Sequence, residues 1–79
     1  MGKAGEALKQ VLEKYGISQN KLAVALEVKP YAVYRWYYGQ IDPRAETAVD
    51  IVKALQSINP EAAKEFVRLY IGEMVEDED

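Results

Sequence analysis

The sequence contains no cysteine and no histidine. Without cysteine the chain forms no disulfide and no thiolate metal site. Without histidine it lacks the commonest metal ligand and the commonest general base near neutral pH. Ser18 and Ser57 therefore have no such base to activate them as nucleophiles. We expect no enzymatic activity, no metal and no cofactor, and no small-molecule ligand is evident.

Long apolar runs are also absent. No segment approaches the roughly 20 apolar residues of a membrane span, and no secretory signal is visible. We therefore expect a cytoplasmic protein with no membrane partner. The 79 residues suffice for one small domain, which buries roughly 60–65% of the surface of its unfolded chain.

Basic residues are in the minority, and the formal net charge is −3. The charge is unevenly distributed, because residues 73–79 carry five acids and no base, whereas residues 1–72 carry ten bases and eight acids. Between Lys14 and Arg44 five bases face two acids. We predict a domain over residues 1–72 and a disordered acidic tail over 73–79. The tail either solubilises the protein or mimics phosphates by folding back over a basic surface.

The spacing of apolar residues predicts five helices and no strand. They span about 3–15, 19–27, 30–39, 43–57 and 60–74. Gly16 is a C-terminal stop, Ser18 an N-cap and Pro30 a first helical residue, while Asp42 and Asn59 each precede a proline as a cap. Short connections between all five helices indicate a compact all-α fold.

Residues 18–39 form two short helices joined by a tight bend. At about 100° per residue, the second helix has an inward stripe of Val33, Trp36 and Tyr37. Its outward stripe carries long hydrogen-bonding side chains, namely Tyr31, Tyr34, Arg35 and Tyr38. Tyr37 is more easily explained as the edge of the core than as a contact residue. One anchored face and one presented face are what a helix needs to read the major groove of DNA.

A longer pattern surrounds this unit, in one register from about Leu8 to Leu55. It consists of Ser18-Gln19, Leu22-Ala23, Val28, Val33, Trp36, Gly39, Pro43, Ala48, Ile51, Val52 and Ala54-Leu55. The pattern resembles the Cro and phage-repressor family of helix-turn-helix domains, often called the XRE family. The resemblance implies a DNA-binding domain with its helix-turn-helix over residues 18–39.

Two positions depart from the family pattern. Glu27 occupies the bend position that usually holds glycine, and Lys29 occupies the cap position that usually holds serine or threonine. A left-handed glutamate costs about 1 kcal/mol, and a lysine side chain cannot accept from backbone N–H groups. We expect either a different turn or a compensated strain at Glu27.

The resemblance implies roles for individual residues. Tyr31, Tyr34 and Arg35 would face base edges, with Arg35 suited to a guanine. The phosphate backbone would be contacted by Gln19, Lys21, Lys29, Tyr38, Gln40 and Arg44. The resemblance thus predicts a sequence-specific transcriptional regulator of double-stranded DNA, most simply a repressor. An antitoxin or a restriction-system controller shares this fold and size.

The fifth helix lies beyond the helix-turn-helix of residues 18–39, and related repressors pair through this region. We therefore expect a homodimer, with Phe66, Tyr70 and Met74 at its interface. A different class of function stays open, because tyrosine, tryptophan and arginine also anchor protein–protein interfaces. The alternative is a protein-interaction module that has kept the fold without DNA binding.

Overall fold

Five helices make up most of the chain in the computed structural model, which describes the backbone of residues 3–77 and the side chains of residues 3–72. The helices are α1 (Lys3–Tyr15), α2 (Gln19–Leu26), α3 (Pro30–Tyr37), α4 (Ala45–Ile58) and α5 (Pro60–Asp77). No strand occurs in the described residues. The all-α prediction with a helix-turn-helix is confirmed.

Most predicted helix ends are where the sequence placed them. Gly16 follows α1 with φ of 65°, a left-handed conformation that glycine adopts without cost. Ser18 caps α2, because its Oγ accepts a hydrogen bond from the N–H of Lys21 at 3.0 Å. Asn59 does the same for α5, with Oδ1 accepting from the N–H of Glu61 at 3.0 Å. These caps satisfy backbone donors that the first turn of a helix leaves unpaired.

The start of α4 differs from the prediction. Asp42 was expected to cap this helix, but α4 begins at Ala45 and its N-cap residue is Arg44, which makes no side-chain cap bond. Asp42 instead accepts the N–H of Gly5, the third residue of α1, at 2.7 Å. It therefore caps a helix 37 residues away in the sequence, and Pro43 is buried in the connection rather than in the first turn of α4.

The hydrophobic core lies between all five helices. α1 packs against α3 and α5, and α2 packs against α3 and α4, while α4 also packs against α5. No polar or charged residue is buried among those described. The largest fully buried side chains are Phe66, Leu8, Leu22, Ile51, Leu55, Val11 and Val33. α3 is thus anchored to a wholly apolar interior.

α5 is longer than the sequence indicated. It continues to Asp77, so its backbone includes the first five residues of the predicted acidic tail. Side chains from residue 73 onward, and residues 78 and 79 entirely, lie outside the described part of the chain. The boundary at residue 72 and the two roles considered for the tail stay predictions.

Candidate nucleic-acid interface

The bend between α2 and α3 is closed by a left-handed glutamate. Glu27 has φ of 61° and ψ of 41°. Its N–H donates to the carbonyl of Val24 at 3.1 Å, and the N–H of Val28 donates to the carbonyl of Ala23 at 3.0 Å. The turn is therefore formed without the usual glycine, and the unfavourable backbone conformation of Glu27 is held by these two bonds.

The N-terminus of α3 also forms without its usual cap. Lys29 is the N-cap residue, in extended conformation and with no side-chain cap bond, and Pro30 follows in the first turn. Proline has no N–H to satisfy and its fixed φ suits the start of a helix, so the missing cap matters less here.

One face of α3 is held in the core. Val33 is fully buried and Trp36 nearly so, and both belong to the central apolar cluster. Ala32 and Tyr37 pack against that cluster while partly exposed. The inward assignment of valine and tryptophan is confirmed, as is the position of Tyr37 at the edge of the core.

The opposite face of α3 projects three phenol rings into solvent. Tyr31, Tyr34 and Tyr38 are 64%, 42% and 55% exposed. Arg35 is half-buried, with its guanidinium carbon 5.8 Å from the centre of the Tyr31 ring. The three predicted base-reading residues therefore share one surface with Tyr38, which was predicted to contact phosphate, and we call this surface the reading face (Tyr31, Tyr34, Arg35 and Tyr38).

The tyrosines of α3 touch one another in a continuous series. Tyr31 and Tyr34 stack with centroids 6.0 Å apart, and Tyr34 meets Tyr38 at 4.6 Å. Tyr38 in turn meets the edge of Tyr37 at 4.9 Å. This tyrosine ladder (Tyr31, Tyr34, Tyr38 and Tyr37) was not predicted. The spacings of three and four residues were the available signal, because residues so spaced are neighbours on a helix surface.

The ladder is fastened to α1 at its inner end. The hydroxyl of Tyr37 donates to Oε2 of Glu13 at 2.7 Å. This hydrogen bond to a carboxylate is the main reason why the pKa of Tyr37 lies above its ordinary value, with desolvation and the negative charge of Glu13 adding to it. The ammonium of Lys9 lies 5.6 Å from the centre of the same ring. A side chain of α3 is therefore oriented by two residues of α1.

The predicted phosphate-binding residues flank the reading face in sequence. Gln19 is the first residue of α2 and is half-buried. Lys29 and Arg44 stand at the N-termini of α3 and α4, where backbone N–H groups favour anions. The exposed members of the set are Lys21, Lys29, Tyr38, Gln40 and Arg44. The backbone N–H of Gln40 donates to the carbonyl of Arg35 at 2.9 Å, which ties this loop to α3.

Of the three residues predicted at a dimer interface, the structure buries Phe66 and leaves Tyr70 partly exposed. Phe66 is fully buried among the core residues of the monomer and has no surface left to bury against a partner, so its assignment to an interface was wrong. Tyr70 is half-buried and stacks on Phe66, with centroids 6.0 Å apart. The side chain of Met74 lies outside the described residues.

An apolar groove runs between α4 and α5, with a volume of about 290 Å³. Its rim is formed by Val49, Val67 and Ile71, which are 54%, 41% and 49% exposed. The full lining is Ala45, Ala48, Val49, Val52, Phe66, Val67, Tyr70 and Ile71, of which Phe66 is fully buried beneath the others. Val49 was not among the predicted interface residues, which were all on the fifth helix.

Among the described side chains, those of residues 3–72, no group of three or more acidic residues is placed to hold a metal ion. Within the described backbone, residues 3–77, no helix is both long and apolar enough to cross a membrane.

Two helices at a tight bend, the second anchored by one face and free on the other, define a helix-turn-helix domain. A helix-turn-helix family model matches residues 8–62, so the chain belongs to the XRE-type helix-turn-helix family of DNA-binding regulators. The matched segment begins at Leu8, as the sequence pattern does, and ends in the first turn of α5. Searches of curated proteins and of solved structures returned no significant match to the chain.

Proposed function

We propose that the protein is a sequence-specific repressor that inserts α3 into the major groove as one half of a homodimer. The observation that carries this proposal is the division of α3 into a buried face and the reading face. Three phenols and one guanidinium project from the outer side of a helix whose inner side is held by Val33 and Trp36. A helix that is buried on one face and exposed on the other fits the major groove of DNA, which is about 12 Å wide.

Arg35 supplies the most specific contact in this proposal. Its guanidinium donates to O6 and N7 of a guanine, a pairing worth about 1–3 kcal/mol of discrimination. Tyr31 and Tyr34 contact neighbouring bases from the same face. Gln19, at the start of α2, donates to a phosphate together with the N–H groups of that helix end.

The charge distribution also favours DNA binding at the surface formed by α2 and α3. Residues 14–44 carry a net charge of +3 within a chain of net charge −3, so attraction for phosphates is concentrated around α2 and α3. The exposed cations of this segment are Lys14, Lys21, Lys29 and Arg44, of which Lys14 is paired with Glu65 of α5 at 3.6 Å.

The apolar groove supports pairing with a second copy. Burying Val49, Val67 and Ile71 removes exposed apolar surface that a small core would otherwise leave in water. A two-fold dimer presents two reading faces to half-sites about 34–36 Å apart on a palindromic operator. A dimer on an operator that overlaps a promoter represses transcription by excluding the polymerase.

Selection of bound sites from a random DNA pool tests the DNA-binding proposal. We expect a palindromic motif with a guanine in each half-site. Arg35→Ala should weaken binding by about 1–3 kcal/mol and relax the preference at that guanine. Arg68→Ala removes the same charge from α5 and is the matched control, expected to leave the motif unchanged. Recovery of no motif would contradict the proposal.

Sedimentation equilibrium at micromolar concentration tests the dimer. We expect a species of twice 8.9 kDa for the unmodified chain and a monomer for Val49→Asp or Ile71→Asp. Val24→Asp places the same change on an exposed apolar residue of α2 and should leave the dimer intact. A monomer in the unmodified chain, or a dimer in all three variants, would exclude the groove as the interface.

One observation favours a second function. Exposed tyrosines with an arginine on a net-acidic chain also suit a protein partner. A protein-interaction module would show no retention on heparin or random DNA at about 50 mM salt, where phosphate attraction is strong. An antitoxin or restriction controller would bind DNA, and its genomic neighbours would distinguish it from other repressors.

A further inference from the structure

We infer that the tyrosine ladder recognises the methyl groups of thymines next to the guanine bound by Arg35. This inference rests on the proposed DNA binding and specifies what the reading face recognises. Each operator half-site would contain a thymine and a guanine on adjacent base pairs, and the thymine would be identified through its methyl group.

The composition of α3 restricts the ways in which it can read bases. Residues 30–37 contain no Asn, Gln, Asp, Glu, Ser or Thr. The helix therefore lacks the amide that pairs with adenine and the carboxylate that accepts from cytosine. What remains is one guanidinium, which suits guanine, and tyrosines, each with an apolar ring and a hydroxyl at its end. In the major groove the thymine C5-methyl group is the feature that apolar side chains contact.

The geometry brings the two kinds of contact together. The Arg35 guanidinium lies 5.8 Å from the centre of the Tyr31 ring, and Tyr31 stacks on Tyr34 with an interplanar angle of 13°. Successive base pairs are about 3.4 Å apart along the helix axis. The 5.8 Å between the guanidinium and the ring is more than one such step and less than two, so the two groups suit the edges of neighbouring base pairs, and the methyl contact falls beside the arginine contact.

Contacts between the rings also favour recognition by shape. Tyr34 touches Tyr31 on one side and Tyr38 on the other, although its ring remains 42% exposed. Neighbouring rings restrict its rotamers before DNA is bound, which lowers the ordering cost of binding. A ring held in this way offers an apolar surface of fixed position to a methyl group.

Replacement of thymine by uracil tests the inference, because uracil keeps the hydrogen-bonding groups and lacks only the methyl. Each thymine of the selected operator is replaced singly and affinity is measured by titration. We expect about a fourfold loss at one or more thymines beside the guanine, as burial of one methyl group predicts. The loss should disappear in Tyr31→Ala or Tyr34→Ala.

Tyr34→Phe is the matched variant, since it keeps the ring and removes the hydroxyl. We expect it to retain the preference for thymine over uracil. Loss of that preference in Tyr34→Phe would assign the contact to the hydroxyl and overturn the inference. Equal affinity for all uracil-substituted operators would overturn it as well. If no operator is selected at all, the proposed DNA binding fails instead, so the two failures are distinguishable.

Discussion

The carboxylate of Asp42 accepts the backbone N–H of Gly5 at 2.7 Å, and so joins the loop after α3 to the first turn of α1. The two residues are 37 positions apart. Gly5 also lies against the C-terminal end of α3, because a Cβ placed on it would be 2.8 Å from the carbonyl oxygen of Trp36. The bond from Gly5 to Asp42 therefore caps α1. The packing of Gly5 on Trp36 holds the C-terminal end of α3 against the same helix turn.

Removal of this cap should destabilise the fold. Asp42→Ala is expected to lower the free energy of unfolding by about 1 kcal/mol, the usual cost of losing a capping oxygen. Asp42→Asn keeps a side-chain oxygen in the same place and should lose less. Urea denaturation of the three proteins measures the difference, and equal stability of Asp42→Ala and the unmodified chain would contradict this role.

The close approach at Gly5 predicts opposite effects for two glycine substitutions. Gly5→Ala places a methyl against the backbone of Trp36 and should cost about 1–3 kcal/mol, more than the helix propensity of alanine returns. Gly72→Ala, in α5, meets nothing within 4 Å and should stabilise by up to about 1 kcal/mol. Thermal unfolding of both variants checks the pair, and a stabilising Gly5→Ala would refute the steric argument.

The left-handed bend residue offers a stabilising substitution. Glu27→Gly should raise the free energy of unfolding by about 1 kcal/mol, because glycine adopts φ of 61° without the clash of a Cβ. Glu27→Ala removes the same carboxylate but keeps the Cβ, and we expect no such gain. Chemical denaturation separates the two effects, and an equal gain in both variants would point to the charge rather than the backbone.

The bond between Tyr37 and Glu13 predicts a dependence on alkaline pH. A phenol whose pKa is raised in the folded state contributes its full stabilisation below its ordinary pKa of about 10, and loses it as the pH rises through the folded value. Tyr37→Phe should therefore be less stable than the unmodified chain at neutral pH. The difference should shrink as the pH rises above about 10. A difference that stays constant through that range would exclude the hydrogen bond as its cause.

The proposed phosphate contact of Lys21 predicts a change in the salt dependence of DNA binding. Lys21→Ala should weaken binding to all DNA sequences alike and reduce the magnitude of the slope of log K against log salt by about 0.9. Lys64→Ala removes another exposed lysine, which pairs with Glu61 on α5 at 3.6 Å, and should leave the slope unchanged. A change in the selected motif, rather than in the slope, would mean that Lys21 reads bases.

Much of the scaffold was predictable because its signals are local. Gly16, Ser18 and Asn59 end or begin helices through bonds within a few residues. The 3.6-residue period of α3 then placed Val33 and Trp36 inside the core. The bond from Gly5 to Asp42 was not predictable, since no local pattern pairs residues so far apart.

The periodicity of α5 was correct but insufficient. Phe66, Val67, Tyr70 and Ile71 fall on one broad apolar side, and period alone does not divide that side between core and groove. α1 and α4 both pack on this helix, and their contacts enclose Phe66 while leaving Val67 and Ile71 exposed. Only the tertiary packing separates a core residue from a candidate partner surface.

Val33 and Trp36 anchor α3 in the core, so the residues that hold the fold together are different from those on the reading face. Since Tyr31, Tyr34 and Tyr38 are not part of the core, substitutions at these positions should preserve folding, and under the proposed DNA binding they would change which target sites are bound. Descendants of such a chain would diverge in which sites they occupy long before they diverge in architecture.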